Sequence, residues 1–151
     1  MGDIVAYELG QTDSLIRSVT AAEVERFAEA SGDTNPMHLD ETFAATTRFG
    51  RRIAHGMLGA SYISALIGTR FPGPGTIYMS QTLNFTAPVF LGDELTVTAT
   101  VIRYQADKQI LTLATTVTNA RGRQVIGGEA VCLVADIARI RASTAIPAAV
   151  L

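Results

Sequence analysis

Cysteine and lysine each occur once in the chain, and histidine twice. Cys132 has no partner for an intrachain disulfide, which points to a reducing compartment. It stands in the run EAVCLV, which reads as a buried strand, so it is expected to act as a small hydrophobe and not as a nucleophile. Lys108 is the only lysine; the other positive charges are scattered arginines that form no basic stripe. With a net charge of −2, nothing in this pattern recruits nucleic acid or anionic lipid. Two histidines without a cysteine pair suggest no metal site. The longest apolar stretch, about Met57 to Ile67, is broken by glycine and serine and is too short to span a bilayer. The start, MGDIVAYELG, lacks a basic region, and Ala6 stands where a myristoylation signal needs serine or threonine. A soluble cytoplasmic protein is the expectation.

Hydrophobic residues make up 48% of the 151 positions and charged residues 17%, a globular balance. The length fits one domain over residues 1–151, with a core over about 15–135 and a patternless tail over about 136–151. Thr20 and Glu23 form a capping box for a helix from about Ala21 to Ala30, Val19 can staple onto Val24, and Gly32 can end it. A short helix is expected through ETFAATT, ended by Gly50. The segment AHGMLGASYISALIGT, Ala54 to Thr69, is apolar or small on every side, so it predicts a helix buried all round. Strands are expected at about Thr76–Phe85, Glu94–Arg103, Gln109–Thr118 and Gln124–Val134, with a bulge or close backbone approach at Gly127-Gly128. Short links make neighbouring strands antiparallel. A buried helix needs cover, and a curled sheet can supply it: an α+β domain with an antiparallel sheet wrapped around a long central helix.

The densest polar stretch is SGDTNPMHLD, Ser31 to Asp40. On a continuous helix Asp33 and His38 would lie about 140° apart. Pro36 disfavours such a helix, and turn chemistry at Gly32, Asp33 and Asn35 can fold the two side chains together. A carboxylate beside an imidazole is a workable acid–base pair. The plainer alternative is an Asx-turn with a surface histidine. His55 and Gly56 open the apolar helix, whose free N–H groups and dipole suit a polarised carbonyl oxygen. Alternatively, Gly56 simply permits tight packing. Ser61 is expected to bond a carbonyl one turn back, and no nucleophile elbow surrounds it. Arg48, Arg51 and Arg52 could meet phosphates or form a solvated face.

SGDTNPMHLD together with FGRRIAHGMLGAS closely resembles the MaoC-like hydratases, in particular the R-specific enoyl-CoA hydratases. The likeness runs on through GTIYMSQTLNFTAPVFLGDELT and GEAVCLV, from about Val19 to Val134. The resemblance implies a hot-dog fold, a homodimer, and reversible hydration of a trans-2-enoyl thioester to the (R)-3-hydroxyacyl thioester. It implies that Asp33 and His38 are the catalytic pair, that Asn35 positions the loop, that the Gly56 N–H holds the thioester carbonyl, and that Ser61 supports the site. It implies no cofactor, since coenzyme A is part of the substrate; the thiol carrier is either CoA or acyl carrier protein. The chain departs at Arg52, where many relatives carry proline, a change expected to loosen the start of the helix and leave catalysis untouched. Thr34 also replaces a bulkier residue of some relatives, so the acyl-chain preference does not carry over.

Two rivals stay open at this point. A hot-dog thioesterase needs a carboxylate near the central helix, yet none occurs between Glu41 and Asp93, although Asp33 could serve. A non-catalytic acyl-thioester-binding subunit of a heteromeric dehydratase would not need both Asp33 and His38.

Overall fold

The computed structural model describes residues 5–144. Six strands and five helices follow one another as β1 (Thr12–Ser18), α1 (Ala21–Ser31), α2 (Pro36–Leu39), α3 (Glu41–Ala45), α4 (Gly56–Thr69), β2 (Ile77–Gln81), β3 (Asn84–Phe85), β4 (Glu94–Gln105), β5 (Ile110–Asn119), β6 (Gln124–Leu133) and α5 (Ile137–Thr144). The sheet order is β1-β4-β5-β6-β2, with β3 also on β6, and every pairing is antiparallel. Helix α4 packs on β4, β5 and β1. This is the α+β hot-dog arrangement, with Ile63, Leu66 and Ile67 of the helix fully buried against Leu95, Val97, Leu111 and Leu113 of the sheet layer.

Helix α1 starts where the sequence indicates. The Thr20 hydroxyl accepts from the Glu23 N–H at 3.2 Å, and Val19 and Val24 are both buried. The reciprocal half of the capping box is not made, because the Glu23 carboxylate is taken by Arg17 at 2.9 Å and by the Tyr62 hydroxyl at 2.6 Å. Gly32 ends the helix at φ +78°, a left-handed conformation, with its N–H donating to Ala28 O at 2.9 Å.

Several expectations need revision: the short helix through ETFAATT ends at Ala45, with Thr46 as its cap, and not at Gly50. The run from Thr76 to Phe85 is two strands, because the chain breaks step at Thr82: its N–H donates to Glu129 O at 2.9 Å while its hydroxyl accepts from the Glu129 N–H at 3.0 Å. The Thr82 carbonyl presses on Gly128, where a Cβ would overlap it, so the close approach read from the paired glycines is real. Strand β1 has no alternating signature; it is an edge strand with Ile16 62% exposed, and pairing with β4 defines it. Helix α4 is not buried all round, since Met57, Ser61, Ser64 and Gly68 form an exposed stripe at helical spacing. The sheet curls over one side of the helix and leaves this stripe open. Finally, the segment read as patternless contains α5, anchored by the buried Ile137 and by Arg141, which donates to Pro72 O at 3.0 Å. The rest of that tail, and Gly2 of the myristoylation reading, lie outside the described residues.

Cys132 is buried in β6, where burial pushes its thiol up to about 11. That is the environment of an inert thiol. Among the described residues no helix is long and apolar enough to cross a membrane.

Candidate active site

The loop between α1 and α3 is held by its own side chains. Ser31 Oγ accepts from the Asp33 N–H at 3.1 Å, Asp33 Oδ1 from the Asn35 N–H at 3.2 Å, and Asn35 Oδ1 from the Met37 N–H at 3.2 Å. Pro36 takes the first helical position of α2, where its missing N–H costs nothing. The plain Asx-turn is therefore present, yet the histidine that follows is not at the surface: His38 is 7% exposed. The turn leaves Asp33 exposed at the rim and sends His38 inward.

His38 Nδ1 lies 2.7 Å from Ile53 O. A carbonyl can only accept, so Nδ1 carries the proton and Nε2 keeps a free lone pair. Burial pushes the imidazole below its ordinary value of 6.5, outweighing the opposing pull of the Ile53 carbonyl and of the Asp33 charge; His55 adds to the lowering. His38 is thus a neutral base at neutral pH. The segment carrying Ile53 is laced to it twice more, by Ile53 N–H to Met37 O at 3.4 Å and by Arg52 Nε–H to His38 O at 2.7 Å. The Arg52 side chain is thus bonded to the backbone of His38 itself.

His55 is buried between Phe27 and His38, with ring centroids at 4.9 Å and 3.9 Å. Its Nε2–H donates to Asp33 O at 2.9 Å, tying the loop to the start of α4, while its buried Nδ1 has no partner among the described residues. One donor atom each from Asp33, His38 and His55 fall within 4.8 Å of one another, a spacing that a single water can bridge. These three are also the described residues that could offer donors to a metal ion. The His38 and His55 rings are tilted by 31° to one another.

Gly56 begins α4, and His55 gives the helix no side-chain cap. The helix tip faces a cavity of about 610 Å³ lined by Asp33, His38, His55 and Gly56 at its polar end and by Val19, Met57, Phe85, Leu95 and Ile126 elsewhere. A Cβ on Gly56 would meet a Phe85 ring carbon at 2.8 Å, so only glycine lets this ring lie against the helix start. The apolar wall escaped sequence reading, because Phe85, Leu95 and Ile126 look like any strand residues until the sheet curves them onto α4. Asn35 and Ser61 do not line the cavity: Asn35 caps α2, and Ser61 is exposed with its hydroxyl donating to Leu58 O at 2.6 Å.

A wrapped helix with an acid–histidine pair at its tip defines a class, and comparison with known proteins names it. Residues 9–122 match the family described as MaoC like domain, and the chain belongs to that family. It is 50% identical over 125 residues to an (R)-specific enoyl-CoA hydratase of Rhodospirillum rubrum, covering 83% of this chain and 86% of that one. It is 49% identical over 124 residues to the (R)-specific enoyl-CoA hydratase of Aeromonas caviae, covering 82% of this chain and 92% of that one. The solved structure of the (R)-hydratase from A. caviae involved in PHA biosynthesis superposes with a TM-score of 0.82 at 48% identity, over 84% of this chain and 96% of that one.

Proposed function

We infer that the chain is a hydro-lyase that adds water reversibly to trans-2-enoyl-CoA, giving (R)-3-hydroxyacyl-CoA. The observation that carries this reading is the meeting of Asp33, His38 and the uncapped Gly56 tip at one end of an apolar cavity. The similarity to two hydratases over most of the chain supports it.

The enoyl chain lies along the apolar wall and the thioester oxygen receives the Gly56 N–H. That hydrogen bond and the helix dipole stabilise the enolate-like oxygen that forms as the β-carbon is attacked. A water held between the Asp33 carboxylate and His38 Nε2 gives its oxygen to Cβ and a proton to the pair. The pair returns a proton to Cα, so one water is added and nothing is oxidised or reduced. General acid–base catalysis contributes about 10²–10⁴-fold and one oxyanion donor about 10²–10³-fold. The thioester carbonyl is itself the electron sink, so the reaction needs no cofactor. His55 acts through Asp33, whose carbonyl it holds, and Asn35 acts through the turn it caps; Ser61 stabilises the first turns of α4.

The working unit is a homodimer. Strand β2 is a sheet edge carrying the exposed Ile77, Tyr78 and Met79, a row that asks for cover. The buried, unpaired Cys132 suits a cytoplasmic setting.

The test is to mix the protein with crotonyl-CoA and follow the conjugated-enoyl absorbance together with free thiol. Loss of the absorbance, an (R)-3-hydroxy product and no released thiol are expected. Thiol release would make the chain a thioesterase, and an unchanged absorbance would make it a binding subunit.

A further inference from the structure

A second cleft, of about 300 Å³, adjoins the catalytic cavity, and the two share Ala87 and Pro88 as a common wall. Three arginines line it: Arg51 from the segment before α4, and Arg121 and Arg123 from the β5–β6 turn. They are arranged by the fold. The Arg51 guanidinium stacks on the Phe90 ring at 3.9 Å. Asn119 Oδ1 accepts from both the Arg121 and the Arg123 N–H at 3.0 Å, and Gly122 at φ +78° lets the turn close between them. No guanidinium of the three is in an ion pair with a described residue. The opposing carboxylates are Asp93 and Glu94, and Asp93 is engaged, accepting from the Phe90 N–H at 2.9 Å. The lining thus holds three cations against two anions, in a chain whose net charge is −2. The lining of the acyl cavity away from its catalytic end is mostly apolar, with Arg48 its one arginine, so an acyl chain alone accounts for no cluster of three.

We propose that this cleft binds the phosphates of the coenzyme A nucleotide, with Arg51, Arg121 and Arg123 as the anion-binding groups. This deepens the hydratase reading and rests on it. With the thioester at Gly56, the pantetheine arm leaves the catalytic cavity over Ala87 and Pro88, and the nucleotide reaches the three guanidiniums. Planar guanidinium forks match phosphate oxygens, and an exposed site of this kind weakens as salt rises.

The experiment compares crotonyl-CoA with crotonyl-pantetheine, which reacts alike but lacks every phosphate. The readout is the ratio of the two kcat/KM values in the wild-type chain, in Arg121→Ala/Arg123→Ala and in Arg51→Ala. For the double variant a roughly tenfold fall in the ratio is expected, the size of two exposed charge-assisted contacts, carried by KM for crotonyl-CoA. Adenosine 3′,5′-bisphosphate should compete with crotonyl-CoA in the wild-type chain, and the preference for the CoA ester should shrink with added salt. An unchanged ratio in both variants overturns the proposal, as does a preference for crotonyl-acyl carrier protein that the same substitutions abolish. If neither thioester is hydrated, the hydratase reading fails by itself. Calorimetric titration with adenosine 3′,5′-bisphosphate then decides the cleft: binding lost in the double variant upholds it, and no binding to the wild-type chain sinks it.

Discussion

At its first residue α4 meets two histidines and a cavity, with no side chain capping its N–H groups. At its last residues the same helix is sealed. The N–H groups of Arg70 and Phe71 both reach Leu66 O, at 3.0 and 2.9 Å, and the Gly73 N–H reaches Ile67 O at 3.0 Å. Tyr7 closes that end edge-on to Phe71 and Tyr104, with centroids at 6.2 Å and 5.1 Å, and α5 lies over it through Arg141 and Pro72. One terminus uses its backbone groups in structure, and the other opens on the cavity. The contrast teaches where stability can be separated from activity: a change at the open end should alter turnover, and a change towards the sealed end should alter folding.

The largest effect expected at the open end comes from Asp33→Asn and His38→Ala. Each should lower hydration turnover by about 10²–10⁴-fold, while circular dichroism still reports a folded chain. Near-normal turnover in either variant would break the contrast. Towards the sealed end, Leu66→Ala should cost about 2–5 kcal/mol in denaturant unfolding, the usual penalty for a cavity at a fully buried leucine. The turnover of the fraction that stays folded should hold. A large fall in kcat there would show that the two ends are coupled.

The acid limb of kcat/KM sharpens the account of the base. The folded-state pKa of His38 lies below 6.5 because of burial, so the neutral, proton-accepting form prevails above that lowered value. Activity should therefore persist below pH 6.5 and fall as pH drops through the lowered pKa. Stability should change in the same direction, since an imidazole buried neutral resists protonation. An inflection above 6.5 in the pH–rate profile would contradict this. The smallest effect belongs to Tyr7, whose buried hydroxyl has no partner among the described residues and whose ionisation burial pushes up to about 12. Tyr7→Phe should leave activity alone and shift stability by no more than about 1 kcal/mol, towards a more stable fold, because an unsatisfied buried hydroxyl is removed. Thermal melts read this directly.

The open end was legible in the sequence because its residues are unusual. A Gly-Asp-X-Asn-Pro turn can do little except bend, so the meeting of Asp33 and His38 could be expected from turn chemistry. The glycine at the head of an apolar helix signalled a close approach in the same way. What stayed hidden depends on chain segments distant in sequence. His55 had to be seen donating to Asp33 O, and Arg52 to His38 O, before either could be given a positioning role. Strand β1 gave no signal because an edge strand needs no alternating pattern. The exposed stripe on α4 misled for the opposite reason: methionine, serine and glycine are small or apolar enough to pass for core.

The most direct measurement is a crystal structure of the Asp33→Asn chain with crotonyl-CoA bound. The thioester oxygen is expected about 2.7–3.1 Å from the Gly56 nitrogen, with a water between residue 33 and His38 Nε2 facing the β-carbon. A thioester bound with its oxygen away from Gly56, or a β-carbon out of reach of that water, would contradict this.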